Sequence, residues 1–200
     1  GPNDLTALGF SNHTLSTLRR LLKAPHGMIL TTGPTGSGKT TTLYAALQEL
    51  NLVERKIITL EDPIEYRVEN INQIQINPKV GLNFASLLRS VLRQDPDIIM
   101  VGEIRDEETA RLATQSALTG HLVLSSLHTN NAFGALNRLL DMGLEPFLIN
   151  AAVRIIISQR LIRRLCPKCK KSGSVTPAEQ KQFGLKIGMS ISRPNGCMSC

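Results

Sequence analysis

Gly33-Pro34-Thr35-Gly36-Ser37-Gly38-Lys39-Thr40 lies between the apolar run Met28-Ile29-Leu30-Thr31-Thr32 and a helix-forming stretch from Lys39 to about Leu52. The octet matches G-x-x-x-x-G-K-[ST], a pattern with a physical demand behind it. A backbone that wraps a polyphosphate must bring several N–H groups close to it, and glycines free of Cβ permit that approach. A helix opening at Lys39 adds the partial positive charge of its N-terminus. Lys39 then reaches the β and γ phosphates and the Thr40 hydroxyl suits Mg²⁺. Thr41, the next residue of that first turn, is counted with Gly33 to Thr40 as nucleotide-binding. At average residue frequencies the pattern arises at about 4 × 10⁻⁵ of start positions, too rarely for a chance glycine turn here.

Outward from the loop, short apolar runs alternate with helical periodicity. Ser11 to Lys23 carries Leu15, Leu18, Leu21 and Leu22 on one stripe, with Ser11 as N-cap. Lys56–Leu60, Asp97–Val101 and Leu122–Leu127 read as buried strands, and Phe84–Arg93, Asp106–Leu118 and Asn131–Met142 as helices. Ile71, Ile74 and Ile76 suggest an edge hairpin, and Pro146 to about Leu165 reads as mostly helical. Alternation of this kind predicts an α/β fold, a mainly parallel sheet joined by right-handed crossovers. The expected organisation is a core over residues 1–165 and a small lobe over 166–200. Gly1-Pro2 has the form of a tag-removal remnant and is set aside.

Composition narrows the class. At 42% hydrophobic and 20% charged the chain is globular in character, and no apolar run approaches the ~20 residues of a membrane-spanning helix. No leader-like segment is visible, so the cytoplasm is the expected compartment. From Ala151 to Cys200 there are ten Lys and Arg against one acid, Glu179, which leaves the first 150 residues at −2 within an overall +7. Such a lobe can meet nucleic acid, an anionic surface or an acidic partner, or simply be solvated. Two tyrosines and no tryptophan offer little for stacking on bases.

All four cysteines fall in this lobe. Cys166 and Cys169, then Cys197 and Cys200, form C-x₂-C, 27 residues, C-x₂-C, which reads as a tetrahedral Cys₄ zinc site. The metal gives a segment poor in core residues a reason to fold.

Other candidates follow from the sheet. Ligands gather at the carboxyl ends of parallel strands. Glu61-Asp62 ends one strand and Glu103 another, where carboxylates can orient water or Mg²⁺. Gly102 stands where an Asp more usually contacts the metal. His128 ends the strand Leu122–Leu127, on the same side as the loop. Arg89 and Arg93 share a helix face, and Arg105 follows Glu103 closely. Each can supply charge to a phosphate, within the chain or to a neighbouring subunit, or form salt bridges with Asp95 or Asp106.

Together these segments resemble the ATPases of type II secretion and type IV pilus assembly. The resemblance rests on Gly33–Thr40, Ile58-Thr59-Leu60-Glu61-Asp62-Pro63-Ile64-Glu65-Tyr66, and Leu92–Asp97 running into Val101-Gly102-Glu103-Ile104-Arg105-Asp106. Thr119-Gly120-His121, Leu127-His128-Thr129-Asn130 and Gln159-Arg160-Leu161 complete it. It implies a RecA-like fold, ATP and ADP as ligands with Mg²⁺, a ring of six subunits, and coupling to an inner-membrane platform protein, hence peripheral membrane association. Glu61 becomes the candidate general base, Glu103 the residue that positions Mg²⁺ and water, and His128 a γ-phosphate contact. Arg89 and Arg93 are the candidate charge donors, and the cysteines suggest the assembly and secretion branch. The resemblance also implies an N-terminal domain ahead of this segment and more chain after it. Two other readings stand beside it: a RecA-like ATPase acting on nucleic acid, and a nucleotide-binding adaptor without turnover.

Overall fold

In β1 (Gly27–Thr32) successive side chains serve opposite sides of the sheet: Met28 and Leu30 pack on one, Ile29 on the other. β4 (Ile98–Val101) and β5 (Leu122–Leu127) repeat the pattern, and every residue of all three strands is buried. A strand buried on both faces has no polar face to alternate, which is why these segments read as continuous apolar runs.

The computed structural model describes residues 4–200, so Gly1-Pro2 lies outside it. With β2 (Ile57–Glu61), β3 (Asn72–Gln75) and β6 (Val153–Ser158), the strands form one six-stranded sheet in the order β3-β2-β4-β5-β1-β6. Every pairing in it is parallel. One face is covered by α1 (Asn12–Leu22) and α2 (Lys39–Leu50), the other by α3 (Phe84–Leu92), α4 (Glu107–Leu118), α5 (Ala132–Asp141) and α6 (Pro146–Ala152). The α/β, mainly parallel architecture expected from the sequence is the one observed.

Two local readings are corrected. The stretch from Pro146 is helical only to Ala152, and Val153–Ser158 then becomes β6, paired with β1. Val153, Ile155, Ile156 and Ile157 are β-branched, stiff at χ1, and better accommodated on a sheet edge than in a helix. The region around Ile74 is a single strand rather than a hairpin: β3 lies parallel to β2, with Gln73 opposite Thr59.

The chain divides into two compact units, the second running from Ile162 to Cys200. In that unit β7 (Lys171–Ser174) pairs antiparallel with β8 (Ser190–Arg193), and α7 (Pro177–Phe183) lies between them in sequence. Thr176 and Glu179 form a capping box at the start of α7, and Arg193 makes a two-pronged bond to Glu179 at 2.7 Å on each arm. That bond holds the Glu179 carboxyl down to about 2. No helix of the described residues is long and apolar enough to cross a membrane.

Candidate active site

Because the sheet is parallel, the residues after β1, β2, β4 and β5 emerge along one edge. They enclose a cavity of about 600 Å³ lined by Thr35–Thr41, Glu61, Asp62, Gly102, Glu103, His128 and Leu161, among others. Segments far apart in sequence meet there because each follows a strand at the same end.

The loop after β1 is held open by its glycines. A Cβ on Gly33 would lie 2.4 Å from the Gln159 carbonyl oxygen and 2.5 Å from Ser37 Oγ. Gly38, at φ 87°, is the N-cap of α2 and supplies no side chain to cap it. That helix end keeps its N–H groups for a ligand. Gly33 and Pro34 do not line the cavity; their carbonyls accept Lys39 Nζ at 2.9 and 3.1 Å. Lys39 is thus folded back inside its own loop. Burial lowers its pKa, and the negative charge of Glu103 opposes that shift.

Glu61, 3% exposed, ends β2 in a web of donors. Its Oε1 accepts Thr59 Oγ1 at 2.6 Å and Gln73 Nε2 at 3.1 Å, while Oε2 accepts the Tyr44 hydroxyl. Gln73 also donates to the Tyr66 carbonyl at 3.1 Å and accepts from Val68 N at 2.9 Å, tying the following loop to the same point. Burial, then the bond to Glu61, raises the Tyr44 pKa, so Tyr44 stays a donor. Three bonds fix where this carboxylate points. Tyr44 and Gln73 were not singled out from the sequence. Tyr44, four residues after Thr40, shares its helix face and was open to inference. Gln73 needed the parallel pairing of β3.

Glu103, 9% exposed, follows β4. Arg105 pairs with its Oε1, which raises the Arg105 pKa, and lies 3.9 Å from Asp62 Oδ2. His128 Nε2 is 3.2 Å from Glu103 Oε2 but without hydrogen-bond geometry, so that buried oxygen has no donor among the described residues. Gly102 has a steric reason: a Cβ there would stand 3.1 Å from the Leu60 carbonyl oxygen. An Asp at this position would press on β2. Thr40 and Glu103 together offer a hydroxyl and a carboxylate, hard oxygen donors of the kind Mg²⁺ takes.

Arg89 and Arg93 are not brought to this cavity. Arg89 lies on α3 and Arg93 is its C-cap; Arg89 pairs with Glu108, and among the described residues Arg93 reaches Ser90 Oγ, at 3.4 Å. The salt-bridge alternative holds for Arg89, though with Glu108 rather than Asp95 or Asp106. Within the chain, Arg105 is the arginine beside the acids of the site.

In the second unit the four cysteine sulfurs lie within 4.8 Å of one another, with Cys169–Cys200 and Cys197–Cys200 both at 3.8 Å. Four thiolates at a Zn–S distance of ~2.3 Å sit about 3.8 Å apart at the corners of a tetrahedron, so the spacing fits zinc. Lost solvation pushes the Cys169 thiol up to about 11, while the Ser199 backbone N–H holds Cys197 down to about 7.

Comparison with known proteins extends the geometry. A family model described as "Type II/IV secretion system protein" matches residues 2–200. The chain is 56% identical over 197 residues to "Type II secretion system protein E" of Dickeya dadantii, covering 98% of this chain and 40% of that protein. It is 59% identical over 168 residues to "Type IV pilus assembly ATPase PilB" of Myxococcus xanthus, covering 84% of this chain and 30% of that protein. Among solved structures, the pilus retraction motor PilT with bound ADP superposes with a TM-score of 0.71 at 38% identity, over 80% of this chain and 48% of that one. The VirB11 ATPase of Brucella suis, in complex with sulphate, gives 0.61 at 27%, over 80% and 53%. The chain spans about 40% of the length of the type II secretion relatives it matches. With the family model matching residues 2–200 and relatives more than half identical along nearly all of it, the chain belongs to the type II/IV secretion system protein family.

Proposed function

We propose that the chain is the ATPase domain of a cytoplasmic motor serving type II secretion or type IV pilus assembly. The observation that carries this reading is the convergence of the Gly33–Thr40 loop, Glu61, Glu103 and His128 on one cavity at the carboxyl edge of the sheet. A glycine loop alone binds nucleotide. A buried, oriented carboxylate facing it adds the means to hydrolyse.

In this reading the loop N–H groups and Lys39 Nζ hold the β and γ phosphates, Lys39 leaving the Gly33 and Pro34 carbonyls to do so. Thr40 and, through water, Glu103 would hold a Mg²⁺ ion, whose charge offsets that of the phosphate oxygens. Glu61 takes a proton from the attacking water as its oxygen bonds to the γ phosphorus and the bond to the β–γ bridging oxygen breaks. The proton goes to Oε2, because Oε1 already accepts two donors and Oε2 only one. His128 meets the γ phosphate from the β5 side. Cys166, Cys169, Cys197 and Cys200 would hold Zn²⁺, which cross-links a unit whose two-stranded hairpin is marginal alone.

Two proposals extend to the assembly. The working form is a hexameric ring at the inner face of the inner membrane, docked on a platform protein, without direct binding of nucleic acid. Arg89 on α3 and Arg93 at its C-cap, both exposed, are offered to a neighbour's phosphate rather than to their own. If so, specific ATPase activity of the full-length protein rises with concentration as subunits associate, and mixing it with the Lys39→Ala protein gives activity different from the sum of the two. Strict additivity, with specific activity independent of concentration, would mean that each chain works alone.

The zinc proposal has its own check. Protein purified without added metal is expected to carry about one zinc per chain, and Cys166→Ser to lower that ratio. Hydrogen exchange over residues 162–200 is expected to quicken in the variant while the sheet is unaffected, since structural zinc contributes on the order of 10 kcal/mol to such sites. A metal-free protein with a well-protected second unit contradicts it.

A further inference from the structure

Gln159 follows β6, and its backbone N–H donates to the Thr32 carbonyl at 2.9 Å, which pins it to the end of β1 where the phosphate loop begins. From there its side-chain Nε2 donates to the Ser37 carbonyl oxygen at 2.9 Å. Only the nitrogen end of the amide can face a carbonyl, so the orientation of the group is chemically fixed. In a trans peptide the C=O of one residue and the N–H of the next point in opposite directions. A Ser37 carbonyl tied back to Gln159 therefore turns the Gly38 N–H away from β6. Gly38 lines the cavity and is the N-cap of α2, so that N–H belongs to the group that would meet a phosphate.

We propose that Gln159 is a positioning residue for phosphate binding, fixing the Ser37–Gly38 peptide so that the Gly38 N–H is presented to the nucleotide. The proposal rests on the ATPase reading above. Steric fit supports it. A Cβ at Gly38 would come 3.2 Å from Gln159 Nε2, and one at Gly33 would come 2.4 Å from the Gln159 carbonyl oxygen, so both ends of the loop are moulded to this residue. The amide is also costly where it stands. Gln159 Oε1 and Ser37 Oγ are both buried without a partner among the described residues. A buried acceptor left unsatisfied is destabilising. A methionine or leucine would fill the space without that cost, so packing alone does not account for a glutamine here. What the amide adds is the bond to Ser37.

The test measures binding of ATP, tripolyphosphate and AMP to full-length protein and to its Gln159→Met variant. Tripolyphosphate isolates the phosphate cradle, and AMP lacks the β and γ groups. Loss of one oriented donor is expected to weaken ATP and tripolyphosphate about tenfold each. AMP affinity and the melting temperature of the ligand-free protein stay unchanged. Gln159→Asn, whose shorter amide falls short of Ser37, is expected to lose phosphate affinity in the same direction and serves if the methionine variant does not fold. Unchanged ATP and tripolyphosphate affinity in a folded variant overturns the proposal, as does equal weakening of all three ligands with a lower melting temperature, the mark of a merely structural residue. Wild-type protein that binds no ATP overturns the ATPase reading itself.

Discussion

Lys39→Ala is expected to weaken ATP binding about 10- to 100-fold and to remove hydrolysis, with the fold intact. Lys39 is 8% exposed, and among the described residues its ammonium is held by the Gly33 and Pro34 carbonyls alone. Its pKa is lowered by burial, the sign of a cation kept where it is poorly solvated. A group stored at such a cost gains most when an anion arrives, and charged hydrogen bonds are worth ~1.5–3 kcal/mol each. Removing one preorganised charge partner of a transition state typically costs a further ~10²–10³ in rate. Stability runs the other way: the variant loses two bonds to loop carbonyls but also a buried charge, so the melting temperature is expected to move by no more than ~4 °C. Calorimetric titration with ATP beside a thermal melt checks both. Unchanged ATP affinity would remove Lys39 from the phosphate site.

Lys39 also braces its own loop. Its ammonium donates to the Gly33 and Pro34 carbonyls, which sets two dipoles against the cation. Arg105 does the same for the acids, pairing with Glu103 and standing near Asp62. The acids are thus already oriented at this edge, whereas Lys39 must exchange its two loop carbonyls for phosphate oxygens when nucleotide enters.

Legibility in the sequence varied with how local the information was. β1, the glycine loop and α2 were readable because strand, loop and helix are consecutive and the loop pattern is rare. Glu61, Glu103 and His128 were readable as strand ends once the strands were, since a parallel sheet sends all its carboxyl ends to one edge. The four cysteines were readable from spacing. β6 does not declare itself, because Val153–Ile157 is a short apolar run entered from a helix, and periodicity cannot separate strand from helix there. Its β-branched residues were the available signal. The web around Glu61 was out of reach for another reason: Gln73 has meaning only once β3 is known to lie parallel to β2. For Arg89 and Arg93 the sequence offered a shared helix face but no direction for it, and that face pairs Arg89 with Glu108, away from the cavity.

The most direct test of the account pairs ATP binding with single-turnover hydrolysis in full-length protein and its Glu61→Gln variant. Glutamine keeps the length and leaves acceptor capacity for Gln73 and Thr59, and the Tyr44 hydroxyl can turn to suit the new amide, so packing is preserved. What it removes is the group that takes the proton from water. General bases contribute ~10²–10⁴ in rate, so phosphate release is expected to fall by at least about 100-fold. ATP affinity is expected to stay within about twofold, since proton transfer to Glu61 belongs to the transition state and not to the bound ground state. Binding retained with hydrolysis lost places the chemistry at Glu61. Wild-type phosphate release in a variant that still binds ATP would contradict the account and move the base elsewhere in the cavity.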